Sequence, residues 1–140
     1  MAISGMTNLQ ISKILSSEFG NVAYTPESTY YIGVSTTPIT EDGLNATEPT
    51  DPSYSRIAID NNLTNWESDV SGEGRQNAIP IDFNVATVNQ GTITYLGIWN
   101  GLTGSDVIYY SELINPKTVG IDDLLRLDVG SLIIKLLPTT

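Results

Sequence analysis

The stretch that most constrains the fold of this 140-residue chain is Gly91 to Leu113, GTITYLGIWNGLTGSDVIYYSEL. Thr92 to Trp99 is dense in β-branched and aromatic residues, Asn100 to Asp106 supplies turn chemistry, and Val107 to Leu113 resumes strand composition. The spacing predicts a central hairpin. Strict alternation places Ile93, Tyr95 and Trp99 on one face with Gly97 between them, and Leu96 and Ile98 on the other with Thr92 and Thr94. Both faces carry apolar residues, so the hairpin is expected to be covered on both sides, inside a sandwich or barrel. Gly97 leaves room there for a ring or a backbone to come close.

The rest of the chain reads as short strands after one helix. Thr7 to Phe19 carries Leu9, Ile11, Ile14, Leu15 and Phe19 at three- and four-residue spacings, with Thr7 or Asn8 as the start signal and Gly20 as the stop. Its stripe is expected to pack on the sheet of its own domain. Docking on a partner subunit is the other reading, and it makes Leu9, Ile14 and Leu15 candidate contacts. Strands are expected over Thr29 to Ser35, Tyr54 to Asp60, Ala78 to Phe83 with Pro80 marking an edge, and near Lys117 to Val119. A terminal pair, Leu124 to Asp128 and Leu132 to Leu137, completes the set. Trp66 is expected to be a buried anchor whose indole N–H finds an acceptor. Glu67 to Asn77 reads as a polar loop. The expected architecture is one mainly β domain over residues 1–140: an antiparallel β-sandwich, jelly-roll or immunoglobulin-like, over about 29–137, with an N-terminal helix over about 7–19.

Thr36 to Pro52 breaks the pattern, holding three prolines and the acidic residues Glu41, Asp42, Glu48 and Asp51. These carboxylates can be imagined around a calcium ion, but the spacing lacks the alternating aspartates and the glycine of an EF-hand loop. A solvated acidic loop is the simpler expectation. No metal or cofactor site is expected anywhere.

Composition removes most chemistry. The chain has no cysteine and no histidine, which excludes disulfides, thiolate sites, imidazole metal ligands and Ser-His-Asp triads. Paired carboxylates remain, as in glycosidases, but the adjacent pairs Glu41/Asp42 and Asp122/Asp123 point to opposite sides of an extended chain. No catalytic residue is expected. A net charge of −10 with six scattered basic residues argues against nucleic-acid binding, and no apolar run reaches the ~20 residues of a membrane-spanning helix. The start, MAISGMTNLQ, lacks the pattern of an export signal.

Taken together, the segments TYYIGVSTTP, a loop ending in Glu48-Pro49, the Tyr54-Ser55-Arg56 strand, NAIPIDF, the GTITYLGIW hairpin, Pro116-Lys117-Thr118-Val119 and GSLIIKL form an ordered set. In that order they resemble a family of small tailed-bacteriophage virion proteins, usually labelled phage tail fibre protein or phage structural protein. The resemblance implies a non-enzymatic component of the phage particle, assembled in the bacterial host cytoplasm. Capsid decoration or head-fibre attachment is the expected role, since the chain lacks the sequence repeats of a fibre shaft. A tail fibre, tail adaptor or baseplate component contacting a host receptor or glycan is the alternative. Other virion proteins, and further copies of the chain, are the expected partners. The exposed hairpin tip, with Asn100, Leu102 and Asp106, joins the helix residues as a candidate contact.

Overall fold

The computed structural model describes residues 4–135. In chain order it places β1 (Ser4–Met6), α1 (Asn8–Gly20), β2 (Thr29–Ser35), β3 (Ile57–Asp60), β4 (Trp66–Ser68), β5 (Gly74–Asn77) and β6 (Ile81–Asp82). Then come β7 (Gly91–Trp99), β8 (Val107–Val119), β9 (Arg126–Leu127) and β10 (Ile133–Lys135). The main sheet has five antiparallel strands in the order β1-β8-β7-β2-β3. The Gly91–Leu113 hairpin therefore lies inside the sheet, where both of its strands have two neighbours.

One face of this sheet, with Ile32, Val34, Ile59, Leu96, Ile98 and Ile108, packs on a second layer built from two small sheets, β10-β5-β4 and β6-β9. That layer contributes Trp66, Ile81, Phe83, Leu127 and Ile134 to the shared core. The fold is a mainly β antiparallel sandwich with, among the described residues, a single helix near the N-terminus. The opposite face of the main sheet carries Tyr31, Tyr95, Trp99, Val107 and Tyr110, and it is covered by Ile39 and Ala46 from the 36–52 loop. Each face of the hairpin is thus buried, by sheet on one side and by loop on the other.

Several expectations change. Ile93 does not share a face with Tyr95 and Trp99. Pairing steps from Ile93↔Lys117 to Tyr95↔Glu112, so Leu113 to Pro116 bulge out of β8 opposite Thr94 alone, and Ile93 turns into the core with Leu96 and Ile98. Asn115-Pro116, which reads as a turn signal, sits in this bulge, where the missing proline N–H costs no ladder bond; β8 continues through it to Val119. The polar Glu67 to Asn77 segment is no loop but the β4–β5 hairpin, held by Trp66↔Asn77 and Glu67↔Gln76 pairing. Pro80 lies outside the two-residue β6, and Tyr54 to Arg56 lie before β3. The terminal segments do not pair with each other: β9 joins β6, and β10 joins β5. Residues 136–137 of the expected last strand are outside the described residues.

Helix α1 ends differently as well. Gly20 is its last helical residue, and Asn21 takes the left-handed conformation that closes it, with φ of 54°. Thr7 stands at the N-cap position, but its hydroxyl donates to the Val107 carbonyl (2.8 Å) rather than back into the helix. The Trp66 indole N–H, expected to find an acceptor, is buried without one among the described residues.

Candidate functional site

The base of the hairpin tip is a built structure. Gly33 and Gly97 face each other across β2 and β7, and the Trp99 ring lies over both. A Cβ on Gly97 would stand 2.6 Å from the Trp99 ring, and one on Gly33 2.7 Å. Only glycine permits that approach. Arg56 covers the other side of the indole, with its guanidinium carbon 4.3 Å from the ring centroid. Its Nε and Nη2 donate to Glu48 Oε1 and Oε2 (2.9 and 2.8 Å), and Nη1 donates to the Gly101 carbonyl (2.8 Å) and Ser105 Oγ (2.9 Å). Tyr54 donates to Glu48 Oε1 (2.8 Å) and accepts from the Val34 N–H (3.1 Å). Burial, before any other cause, raises the pKa of that phenol.

One cluster thus ties the Glu48-Pro49 loop, the Tyr54-Ser55-Arg56 segment and the tip to one another. The TYYIGVSTTP, Glu48-Pro49 and Tyr54-Ser55-Arg56 segments meet the GTITYLGIW strand here, in a structural role. Asn100 accepts from the Asp106 N–H through Oδ1 (2.9 Å) and donates its own N–H to the Asp106 carbonyl (3.0 Å), which closes the tip. Leu102 and the Asp106 side chain are exposed beyond it.

The acidic loop is solvated only in part: Glu41 and Asp42 are exposed, whereas Glu48 and Asp51 are engaged. Besides Glu48, Asp51 is buried and accepts from the Ser53 N–H (3.0 Å), the Thr87 N–H (2.8 Å), the Thr87 hydroxyl (2.5 Å) and Gln90 Nε2 (2.9 Å). Burial opposes its charge, but these donors outweigh it and hold the carboxyl well below the usual range. Asp42 accepts from Thr40 and the Leu44 N–H within its own turn. Among the described residues no three acidic side chains converge as a metal site would require. Glu48 and Asp51 act as hydrogen-bond acceptors that fasten the loop to the segments beside it, while Glu41 and Asp42 stay exposed.

Helix α1 is inverted relative to expectation. Its buried residue is Gln10, which donates to the Tyr24 and Tyr109 hydroxyls (2.8 and 3.4 Å). The apolar stripe faces outward: Leu9 is 40% exposed, Leu15 51% and Phe19 89%, with Ile11 exposed and Ile14 half-buried. Leu9, Ile14 and Leu15 therefore fall into two settings, the first and third exposed and Ile14 turned partly inward. Phe19, the most exposed of the stripe, lay in the same sequence pattern but was not singled out; its place just before the helix end was the available signal.

The two groups of candidate contacts flank one junction. Thr7, at the head of α1, donates its N–H to the Ile108 carbonyl (3.0 Å) and its hydroxyl to that of Val107, directly after the tip residue Asp106. The Asn8 N–H donates to the Glu41 carbonyl (2.7 Å), so helix, acidic loop and hairpin tip meet at this corner. A separate cleft of about 360 Å³ opens between the layers, lined by Tyr30, Asn61, Asn62, Trp66, Arg75 and Tyr109. Tyr30 packs edge-on against Trp66 with ring centroids 6.1 Å apart, and burial first, then Tyr109 and Tyr24, push its phenol up to about 12. No described helix is long and apolar enough to cross a membrane.

No curated protein sequence matches the chain. A family model described as podophage GP4 fiber I protein gp80 matches residues 5–135, which span every described strand but the first residue of β1. That is nearly the whole chain, and the virion resemblance carried by the ordered short segments agrees with it. The chain belongs to the podophage GP4 fiber I protein gp80 family, a family of phage virion fibre-type proteins.

Proposed function

We propose that this protein is a non-enzymatic structural subunit that fixes part of the fibre apparatus to the phage particle, by capsid decoration or head-fibre attachment. The observation that carries the reading is α1. Its polar side is anchored to the sheet and its apolar stripe is left open, an arrangement that suits a helix covered by a neighbouring virion protein. Leu9, Leu15, Leu102 and Asp106 are the contacts proposed, with Ile14 and Asn100 supporting them from beneath. The acidic surface and the absence of histidine and cysteine fit a durable particle component that does not adhere to packaged DNA. Copies arrayed on a symmetric particle would add weak contacts into firm attachment. A reconstruction of the intact particle tests this: density for the chain on the head or at the head–tail junction is expected, and density confined to the distal end of a tail fibre would overturn it.

The cleft beside Tyr30 and Trp66 favours a second reading, a tail or baseplate component that contacts a host glycan. Among the described residues Arg75 is the one charged side chain in its wall, in a chain of net charge −10. Saturable binding on a glycan array, lost in Arg75→Gln, would support that reading. An array without binding would remove it.

A further inference from the structure

We propose that the cleft between the layers binds a carboxylate-bearing sugar unit, of the uronic-acid class, with Arg75 as the partner of the carboxylate. The inference rests on the second reading above, that this cleft receives a glycan, and names the chemical class. Its wall holds hydrogen-bond donors that have no acceptor among the described residues. The Tyr30 hydroxyl accepts from Asn61 Nδ2 (3.5 Å) and the Tyr109 hydroxyl from Gln10 Nε2 (3.4 Å), so both O–H protons remain to be given. Asn62 accepts through Oδ1 from the Thr64 and Asn65 N–H groups (3.0 and 2.9 Å), which leaves its own Nδ2 without an acceptor. Arg75 donates through Nη1 to Ser68 Oγ (2.9 Å) and, among the described residues, enters no ion pair. Burial, ahead of any neighbouring group, raises the pKa of both phenols, so they stay protonated donors at neutral pH. Four donor side chains, one of them a cation, and no carboxylate among the described residues of the wall fit an acceptor-rich, negatively charged ligand.

The net charge of −10 opposes such a ligand at long range, but it is screened beyond about 8 Å at physiological salt, and the wall sets the field inside the cleft. Pairing of Trp66 with Asn77 and of Ser68 with Arg75 puts those side chains on the inner face of β4–β5. Glu67 and Gln76 pair on the outer face, where Gln76 Nε2 donates to Glu67 Oε1 (2.9 Å), so Glu67 points away from Arg75. Glu27 acts on the Tyr30 phenol through space but does not line the cleft. Leu63, Ile98 and Ile134 supply an apolar patch for the C–H face of a sugar ring. A volume of about 360 Å³, near the lower end of the ~300–1,000 Å³ of small-molecule sites, suits one unit of a saccharide and not a long segment.

NMR titration of the isotope-labelled full chain with sodium glucuronate, glucose and sodium acetate provides the test. The Trp66 indole signal reports on the cleft wall, and the Trp99 indole, on the opposite face of the main sheet, is the control. Glucuronate is expected to saturate the Trp66 shift with a Kd of about 1–10 mM, and glucose and acetate to bind at least about tenfold more weakly. Arg75→Gln should weaken glucuronate binding about tenfold and leave glucose unchanged. Tyr30→Phe, which keeps the ring and removes the hydroxyl, should weaken glucuronate about fivefold. Arg75 is exposed, and urea melts confirm that each variant is folded. Glucose binding as tightly as glucuronate would overturn the acidic class and leave the glycan reading standing. Acetate binding as tightly would show a site for carboxylates at large and overturn the sugar. A Trp66 signal unmoved by about 100 mM glucuronate would overturn the proposal outright, and the glycan array then decides the wider reading by itself.

Discussion

The 36–52 loop and helix α1 both lie against the five-stranded sheet outside its ladder, and they attach by opposite means. The loop carries four acidic residues, yet it buries Asp51, engages Glu48 with Arg56 and Tyr54, and places Ile39 over the aromatic face. The helix carries the better apolar stripe, yet it is fastened by Thr7 and Gln10 and leaves the stripe in solvent. The difference teaches that polarity by itself does not decide which side of a segment is inside. A buried carboxylate with four or more donors is a stable anchor, and an apolar stripe can be left in solvent when polar contacts fix which side of its helix meets the sheet.

The comparison breaks most visibly at Trp99. Trp99→Ala removes the ring from between Arg56 and the Gly33/Gly97 floor and should cost about 3–5 kcal/mol in urea unfolding, the range for large aromatic truncations in a core. A loss below 1 kcal/mol would mean that the loop face contributes little. Arg56→Met comes next. It strands Glu48, whose side chain is 26% exposed, so a loss of about 2–3 kcal/mol is expected, less than for a fully buried pair.

The acid response of the loop sharpens the contrast further. Asp51 is held well below the usual carboxylate range, and outside the loop, in the β4–β5 turn, Asp69 is held to about 2 by the Ser71 hydroxyl, with Lys135 and the Gly74 N–H assisting. A carboxylate whose folded pKa is depressed stabilises the fold above its unfolded pKa of about 3.9 and loses that contribution as pH falls below it. The melting temperature should therefore drop between about pH 4 and pH 2, and Asp51→Asn should flatten this decline while lowering stability at pH 7. An unchanged slope in the variant would show that Asp51 is not the anchor of the loop. On the helix, Gln10→Ala should cost only about 1 kcal/mol, the scale of the hydrogen bonds to Tyr24 and Tyr109.

The sequence made the central hairpin legible because β-branched density and glycine-marked turns are local signals, and the sandwich class followed from them. The close approach at Gly97 was legible for the same reason. The bulge at Thr94 was not, since an irregular ladder leaves alternation intact in the sequence while turning Ile93 to the other side. The β4–β5 hairpin was hidden by polar composition: Asn77 looks like a loop residue, but it is fully buried and donates to the Ile79 and Asp128 carbonyls. Pairing of β6 with β9 and of β5 with β10 joins segments far apart in the chain, which periodicity cannot report. The stripe of α1 was read correctly as a stripe, and its direction was decided by Gln10 and Thr7, whose partners on β8 and at Tyr24 no local pattern reveals.

The central claim is that the open face of α1 serves assembly and not folding. Leu15→Glu/Phe19→Glu, introduced into the phage and compared with the isolated protein, tests it directly. The account predicts a fold stability within about 0.5 kcal/mol of wild type, as for exposed positions, together with particles that lack the protein. Particles that carry the variant at the wild-type level would contradict it.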